Sequence, residues 1–202
     1  SAEDTFRTYE LMRERGFNNI SMDLMYALPC QSMKSLGNSL DALISLNPEH
    51  ISCYGLKIEE DTPFFKMLTD GFIEECDDDT FADMYNMIAE QLSSCGYNHY
   101  EISNFAKDGF ESRHNLKYWQ DKDYIGFGVS ASSREGNRRY TNPLTLDGYL
   151  SKEPLSEDYT MELNEQMSEF IILALRVINS GVDRLEFKRK FGKELNDVFA
   201  PQ

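Results

Sequence analysis

Apolar residues recur at two different periods along the 202-residue chain, and the switches between them mark its elements. Phe6, Tyr9 and Met12 make an apolar stripe that stops at Gly16, which predicts a helix. From Asn18 to Tyr26 the period drops to two. Ile20, Met22, Leu24 and Tyr26 fall on one face and Ser21, Asp23 and Met25 on the other, which predicts a strand ended by Leu28-Pro29. Ser32 is placed to cap a helix whose apolar positions Leu36, Leu40, Leu43 and Ile44 return to helical spacing, and Asn47-Pro48 closes it. Ile51 to Ile58 predicts the next strand. A loop of about 20 residues, Glu59 to Asp78, is long for a compact domain. Phe81, Met84, Tyr85, Ile88 and Leu92 then predict a helix before Gly96, and Tyr97 to Ile102 a third strand. Strands alternating with helices, with no hairpin signal between them, predict βαβ units and a parallel sheet. Such sheets bind ligands at the carboxyl ends of their strands.

After Phe105 the pattern changes. Residues 106–158 are rich in glycine and tyrosine, with short strand-like runs such as Tyr124 to Val129. From about Thr160 helical spacing returns in Met167, Phe170, Ile171, Ala174, Leu175 and Ile178, and Asp183 with Glu186 reads as a capping box opening another helix. The expectation is an α/β part over 1–105, an α+β extension over 106–158 and a small helical region over 159–202.

Composition narrows the function classes. With 35 Asp+Glu against 20 Lys+Arg the formal charge is −15, which argues against nucleic-acid binding by a broad basic face. No run approaches the roughly 18 apolar residues of a membrane helix, and no signal peptide opens the chain, so the expected location is cytoplasmic. The cysteines Cys30, Cys53, Cys76 and Cys95 are too widely spaced for a local zinc or iron–sulfur motif, and are read as reduced and mostly buried. The acidic run Glu74, Glu75, Asp77, Asp78 and Asp79 is read as capping the helix that follows. Asp23 is the sharpest oddity, a carboxylate in mid-strand. It needs a partner, either a structural hydrogen bond or ion pair, or a hydroxyl or amino group of a ligand.

Five stretches taken together resemble one family. Asp23-Leu24-Met25-Tyr26-Ala27-Leu28-Pro29-Cys30-Gln31 is similar to the segment DLMYGLPGQ of the radical S-adenosylmethionine (SAM) proteins related to oxygen-independent coproporphyrinogen III oxidase. The runs from Asn47 to Ser52 and from Tyr54 to Glu59 resemble NPEHIS-YGLKIE, and Gly96-Tyr97 with Tyr100 to Ala106 resembles GY-YEISNFA. Arg113-His114-Asn115-Leu116-Lys117-Tyr118-Trp119 matches HNxxYW, which marks the family's heme-chaperone branch, and Gly126 to Ala131 matches its glycine segment.

The resemblance implies the C-terminal portion of a (β/α)6 partial barrel with parallel strands, followed by the family's extension and helical region. It implies SAM and a [4Fe–4S] cluster in the intact protein. The cluster's C-x3-C-x2-C loop is absent here, so the chain looks like part of a longer protein, inactive by itself in radical chemistry. Asp23 aligns with a SAM-binding aspartate, and Lys57 and Ser132 with positions that contact SAM in the oxidase branch. His114 is the implied heme-iron ligand, with Asn115 orienting it, Tyr118 and Trp119 stacking on the porphyrin and Arg113 pairing a propionate. Cys30 stands where the family commonly has glycine and is read as structural. The implied function is a heme chaperone that delivers heme to acceptor proteins. The rival readings are coproporphyrinogen oxidation by SAM-derived radical chemistry, and an α/β domain without its ligand site. The strand from Ile20 to Tyr26 lacks its family neighbour, and this open edge predicts a homodimer or another covering of the edge.

Overall fold

A computed structural model describes residues 2–199. The chain divides into two compact units, Ser1–Glu111 and Ser112–Gln202. Nearly all of the net charge of −15 belongs to the first.

In the first unit, helix α1 (Ala2–Glu14) precedes strand β1 (Ser21–Tyr26), helix α2 (Met33–Leu46) and strand β2 (His50–Gly55). The Ser32 hydroxyl accepts from the Ser35 N–H at 3.1 Å and starts α2, and Asn47 in the left-handed region ends it. Leu36, Leu40 and Leu43 are the buried face. Strands β1 and β2 pair in parallel from Ser21↔His50 to Tyr26↔Gly55. Strand β2 stops at Gly55, short of the expected Ile58. A Cβ there would stand 2.4 Å from the Phe81 ring, so the close approach requires glycine.

The long loop contains a helix, α3 (Pro63–Thr69), which Thr62 caps and Pro63 begins. Helix α4 (Asp78–Ser94) follows, its start capped by Asp77, which accepts from the Thr80 N–H at 2.9 Å, as read from the acidic run.

The third strand departs from expectation. Instead of one parallel strand over Tyr97–Ile102, the chain forms β3 (Asn98–Glu101) and doubles back as β4 (Asn104–Ala106), giving the sheet order β1-β2-β4-β3. Strand β4 is antiparallel to both β2 and β3, so the sheet is mixed and only β1–β2 is parallel. The turn at Ile102-Ser103 is held by a side chain: the Glu101 carboxylate accepts the Ser103 N–H at 3.0 Å and also the Asn104 side-chain amide. One sheet face packs on α2 and α4 around Tyr26, Leu36, Leu40, Ile51, Met84, Ile88, Leu92 and Phe105.

The second unit contains α5 (Arg113–Trp119), β5 (Ser132–Glu135), β6 (Arg138–Thr141), α6 (Leu146–Ser151), β7 (Glu157–Thr160), α7 (Leu163–Ala174), α8 (Arg184–Phe191) and α9 (Leu195–Val198). Strands β5, β6 and β7 form an antiparallel sheet. Tyr124 to Val129 is a loop, joined to β5 by the bridge between Tyr124 and Arg134 and by the Gly126 N–H, which donates to the Ser133 hydroxyl at 3.0 Å. Asp183 caps α8, but the reciprocal contact falls elsewhere: it is the Glu165 carboxylate that accepts the Glu162 N–H, at the start of α7. Met167, Phe170 and Phe187 form the core. Beside it, Asp121 is buried between Arg134 and Lys190, and Glu169 pairs with Arg139.

Candidate ligand-binding site

The alternation in β1 sends Met22, Leu24 and Tyr26 into the helix-covered core and leaves Ser21, Asp23 and Met25 on the opposite, exposed face. The sheet register extends this face into a polar row: Asp23 is opposite Ser52, Ser52 opposite Asn104, and Asn104 opposite Glu101. The row runs from an exposed carboxylate to a fully buried one, Glu101, at 0% exposure. Asn104 is buried, and its Oδ1 has no hydrogen-bond partner, so the row holds an unused acceptor.

A second polar row begins at Ser21, whose hydroxyl is 2.8 Å from His50 Nδ1, while His50 Nε2 is 2.8 Å from the Tyr100 hydroxyl. Burial holds the His50 imidazole below its usual pKa, with the charges of Asp23 and Glu111 acting in the opposite direction. At neutral pH the ring is therefore uncharged, donating through one nitrogen and accepting through the other.

Sequence reasoning singled out Asp23 but missed Ser52, Asn104, Glu101, His50 and Tyr100. A signal existed in the period-two spacing of His50 and Ser52. For Glu101 and Asn104 it was hidden by the unrecognised hairpin.

Lys57 lies beyond the end of β2, with its side chain 81% exposed and its ammonium 2.9 Å from Glu59. Ser132 belongs to the second unit, where its hydroxyl meets that of Thr141 at 3.0 Å.

Arg113 and the four motif residues His114, Asn115, Tyr118 and Trp119 all lie on α5, and the helix separates them. The His114 ring is exposed and meets Tyr118 edge-on at 4.9 Å, and Tyr118 meets Tyr124 edge-on at 4.6 Å. Trp119 turns to another side. The Arg176 guanidinium lies 4.1 Å over its ring, and it lines a cavity of about 410 Å³ with Phe170, Ala174 and Val177. Trp119 Nε1 is buried without a hydrogen-bond partner. The Asn115 N–H donates to the Ser112 hydroxyl at 3.3 Å, which starts the helix, and Arg113 is exposed.

These residues fit two of the three implied groups. The exposed Asp23 carboxylate beside Ser52 suits a ligand rich in donors such as ribose hydroxyls or an ammonium. An exposed imidazole beside aromatic rings suits heme. A [4Fe–4S] cluster does not fit: among the described residues no three ligating side chains converge. Of the cysteines only Cys53 is buried, correcting the expectation that most are, and burial pushes its thiol up to about 12.

No protein-family model matches the chain. Among curated proteins it is 36% identical to the heme chaperone HemW of Bacillus subtilis over 98% of its own length and 53% of that protein. Identity to HemW of Lactococcus lactis is 34%, over 98% and 52%. Identity to HemW of Escherichia coli is 31%, over 99% and 53%. The chain thus spans about half the length of the curated relatives it matches. Among solved structures, coproporphyrinogen III oxidase (HemN) of Escherichia coli, described as a radical SAM enzyme, superimposes with a TM-score of 0.76 at 21% identity, over 99% of this chain and 50% of that one. The α/β fold is therefore that of half of HemN. Matched along nearly all of its own length, the chain is HemW-like, a relative of the heme chaperones.

Proposed function

We propose that this chain supplies the heme-binding segment and part of the SAM pocket of a heme chaperone, acting in the cytoplasm and passing heme to acceptor proteins. The observation that carries this reading is His114, an exposed imidazole at the start of α5 with Tyr118 packed against it. His114 ligates the iron and Tyr118 lies beside the porphyrin. Arg113, Asn115 and Trp119 contribute charge, orientation and apolar surface. Asp23 takes the ribose of SAM, with Lys57 as a further contact. The segments 1–105, 106–158 and 159–202 correspond to barrel strands, extension and helical region. Strand β1 is at the sheet edge, where a second copy of the chain would cover its unpaired backbone groups.

The test is a heme titration followed by absorbance, on the intact protein and on His114→Ala. Binding weakened tenfold or more by the substitution, about 1.4 kcal/mol, supports the chaperone reading. Unchanged binding removes His114 from the site. Turnover of coproporphyrinogen to protoporphyrinogen by the intact protein would favour the oxidase reading instead. Sedimentation of the chain reports the dimer.

A further inference from the structure

We propose that Cys30 and Cys76 form a reversible disulfide, a thiol modification site at the end of β1 made by exchange with small uncharged or cationic disulfides. Cys30 and Cys76 come from separate segments and both line one cavity of about 410 Å³, between the turn at 28–31 and the stretch 71–77, with Cys76 also packed against the core. The placement of Cys30 is the unusual part. The Gln31 N–H donates to the Leu28 carbonyl at 2.9 Å, closing a turn with Pro29 in its second position and Cys30, at φ 63°, in its third. That is a type II turn, whose third position favours glycine. Here a cysteine occupies it, exposed to solvent in the lining of the cavity that Cys76 also lines.

The other cysteines differ. Cys53 is buried in the core, and Cys95 sits at the far end of α4 as its C-cap. Cys30 is thus the accessible attacking thiol and Cys76, half-buried, the resolving one.

The exchange balances in two steps. The Cys30 thiolate attacks a disulfide R–S–S–R, forming Cys30–S–S–R and releasing one R–S⁻, which takes up the proton Cys30 gave to solvent. The Cys76 thiolate then attacks the Cys30 sulfur and expels the second R–S⁻. The two cysteines lose two electrons in all, and one small disulfide is reduced to two thiols.

Selectivity follows from charge. Glu74, Glu75 and Asp77 line the same cavity, and desolvation together with the Asp77 charge pushes the Cys76 thiol up. An anionic disulfide is repelled there, whereas a cationic one is attracted.

The test treats the native chain with cystamine or with glutathione disulfide, blocks remaining thiols with iodoacetamide, and maps peptides by mass. The expected product is a Cys30–Cys76 cross-linked peptide, formed about tenfold or more faster with cystamine. Cys76→Ser is expected to stop at a stable mixed disulfide on Cys30. A native chain that keeps the small thiol on Cys30, or joins Cys30 to Cys53, to Cys95 or to a second copy, would overturn the proposal. Equal rates with both reagents would overturn the charge selectivity.

Discussion

The turn after β1 offers a quantitative test of backbone strain. Ala27 and Cys30 both lie in the left-handed region, at φ 56° and 63°, and both replace a glycine of the DLMYGLPGQ segment they resemble. A side chain held there costs about 1–2 kcal/mol, and reverting to glycine loses about 0.5–1 kcal/mol through the freer unfolded chain. For Cys30, which is exposed, little else changes, so Cys30→Gly is expected to stabilise by about 0.5–1 kcal/mol. Ala27 is different. Its methyl is 4% exposed and belongs to the core cluster, so its removal forfeits about 0.8 kcal/mol and leaves Ala27→Gly close to neutral.

The assay is urea unfolding under reducing conditions, followed by circular dichroism. With a slope of about 2 kcal/mol per molar, Cys30→Gly should raise the midpoint by about 0.3–0.5 M, Ala27→Gly should leave it unchanged, and Cys30→Ala, which keeps the strain, should gain nothing. The turn is clamped in both directions, since the Leu28 N–H donates to the Gln31 side chain at 3.2 Å while the Gln31 N–H donates to Leu28. A relaxed backbone is therefore not available to the native cysteine. Equal gains from Cys30→Gly and Cys30→Ala would refute the strain argument, and a gain from Ala27→Gly would refute the weight given to methyl burial.

Three further outcomes are expected. Gly55→Ala drives a methyl into the Phe81 ring and should cost about 1–3 kcal/mol, read as a lower melting temperature. Asp121→Asn removes the nearer carboxylate of Arg134, whose side chain is 2% exposed, leaving it Glu169 at 3.8 Å, and should destabilise by about 3–5 kcal/mol in the same melt. Acidification should weaken the first unit in two windows. The folded state holds His50 below its usual value of 6.5, so stability begins to fall as pH drops through that value. Despite partial burial, the Ile20 N–H and Arg13 hold Glu49 below its usual 4.5; its contribution is complete above that pH and is lost as pH falls through the lowered folded value. Unfolding free energies measured across pH, with His50→Gln and Glu49→Gln each removing one window, check the assignment.

Helices and the first two strands were legible because their determinants are local. Ser32, the spacing of Leu36, Leu40 and Leu43, and Asn47 specify α2 almost residue by residue. The alternation in β1 placed Asp23 on the correct face. What escaped depended on distant partners. The hairpin at Ile102-Ser103 carries no glycine, proline or asparagine in its turn and is held by a carboxylate, so its sequence reads as an uninterrupted strand. Missing it concealed β4, and with it the placement of Asn104 between Ser52 and Glu101. The HNxxYW segment was legible as a motif, but its four specified residues do not share one side of α5. Residues five apart, such as His114 and Trp119, diverge by more than a third of a turn, and the structure pairs one with Tyr118 and the other with Arg176.

The gradient of burial along the polar row constrains how a ligand can enter. Glu101 and Asn104 are sealed, Ser52 is buried at 5% exposure, and only Asp23 is open, on the strand at the sheet edge. A ligand at the proposed Asp23 site would engage the row from the β1 end, and whatever pairs with that edge would become one wall of that site. Any strand hydrogen-bonded to β1 would place its own side chains about 5 Å from Asp23. Edge pairing and ligand binding at Asp23 are then linked equilibria. A partner that leaves room for the ligand strengthens its binding, one that fills the space competes with it, and by the same reciprocity the ligand shifts the pairing. Measuring nucleoside affinity as a function of protein concentration separates the two signs, and a concentration-independent affinity in a chain that does self-associate would place the shared edge elsewhere than β1.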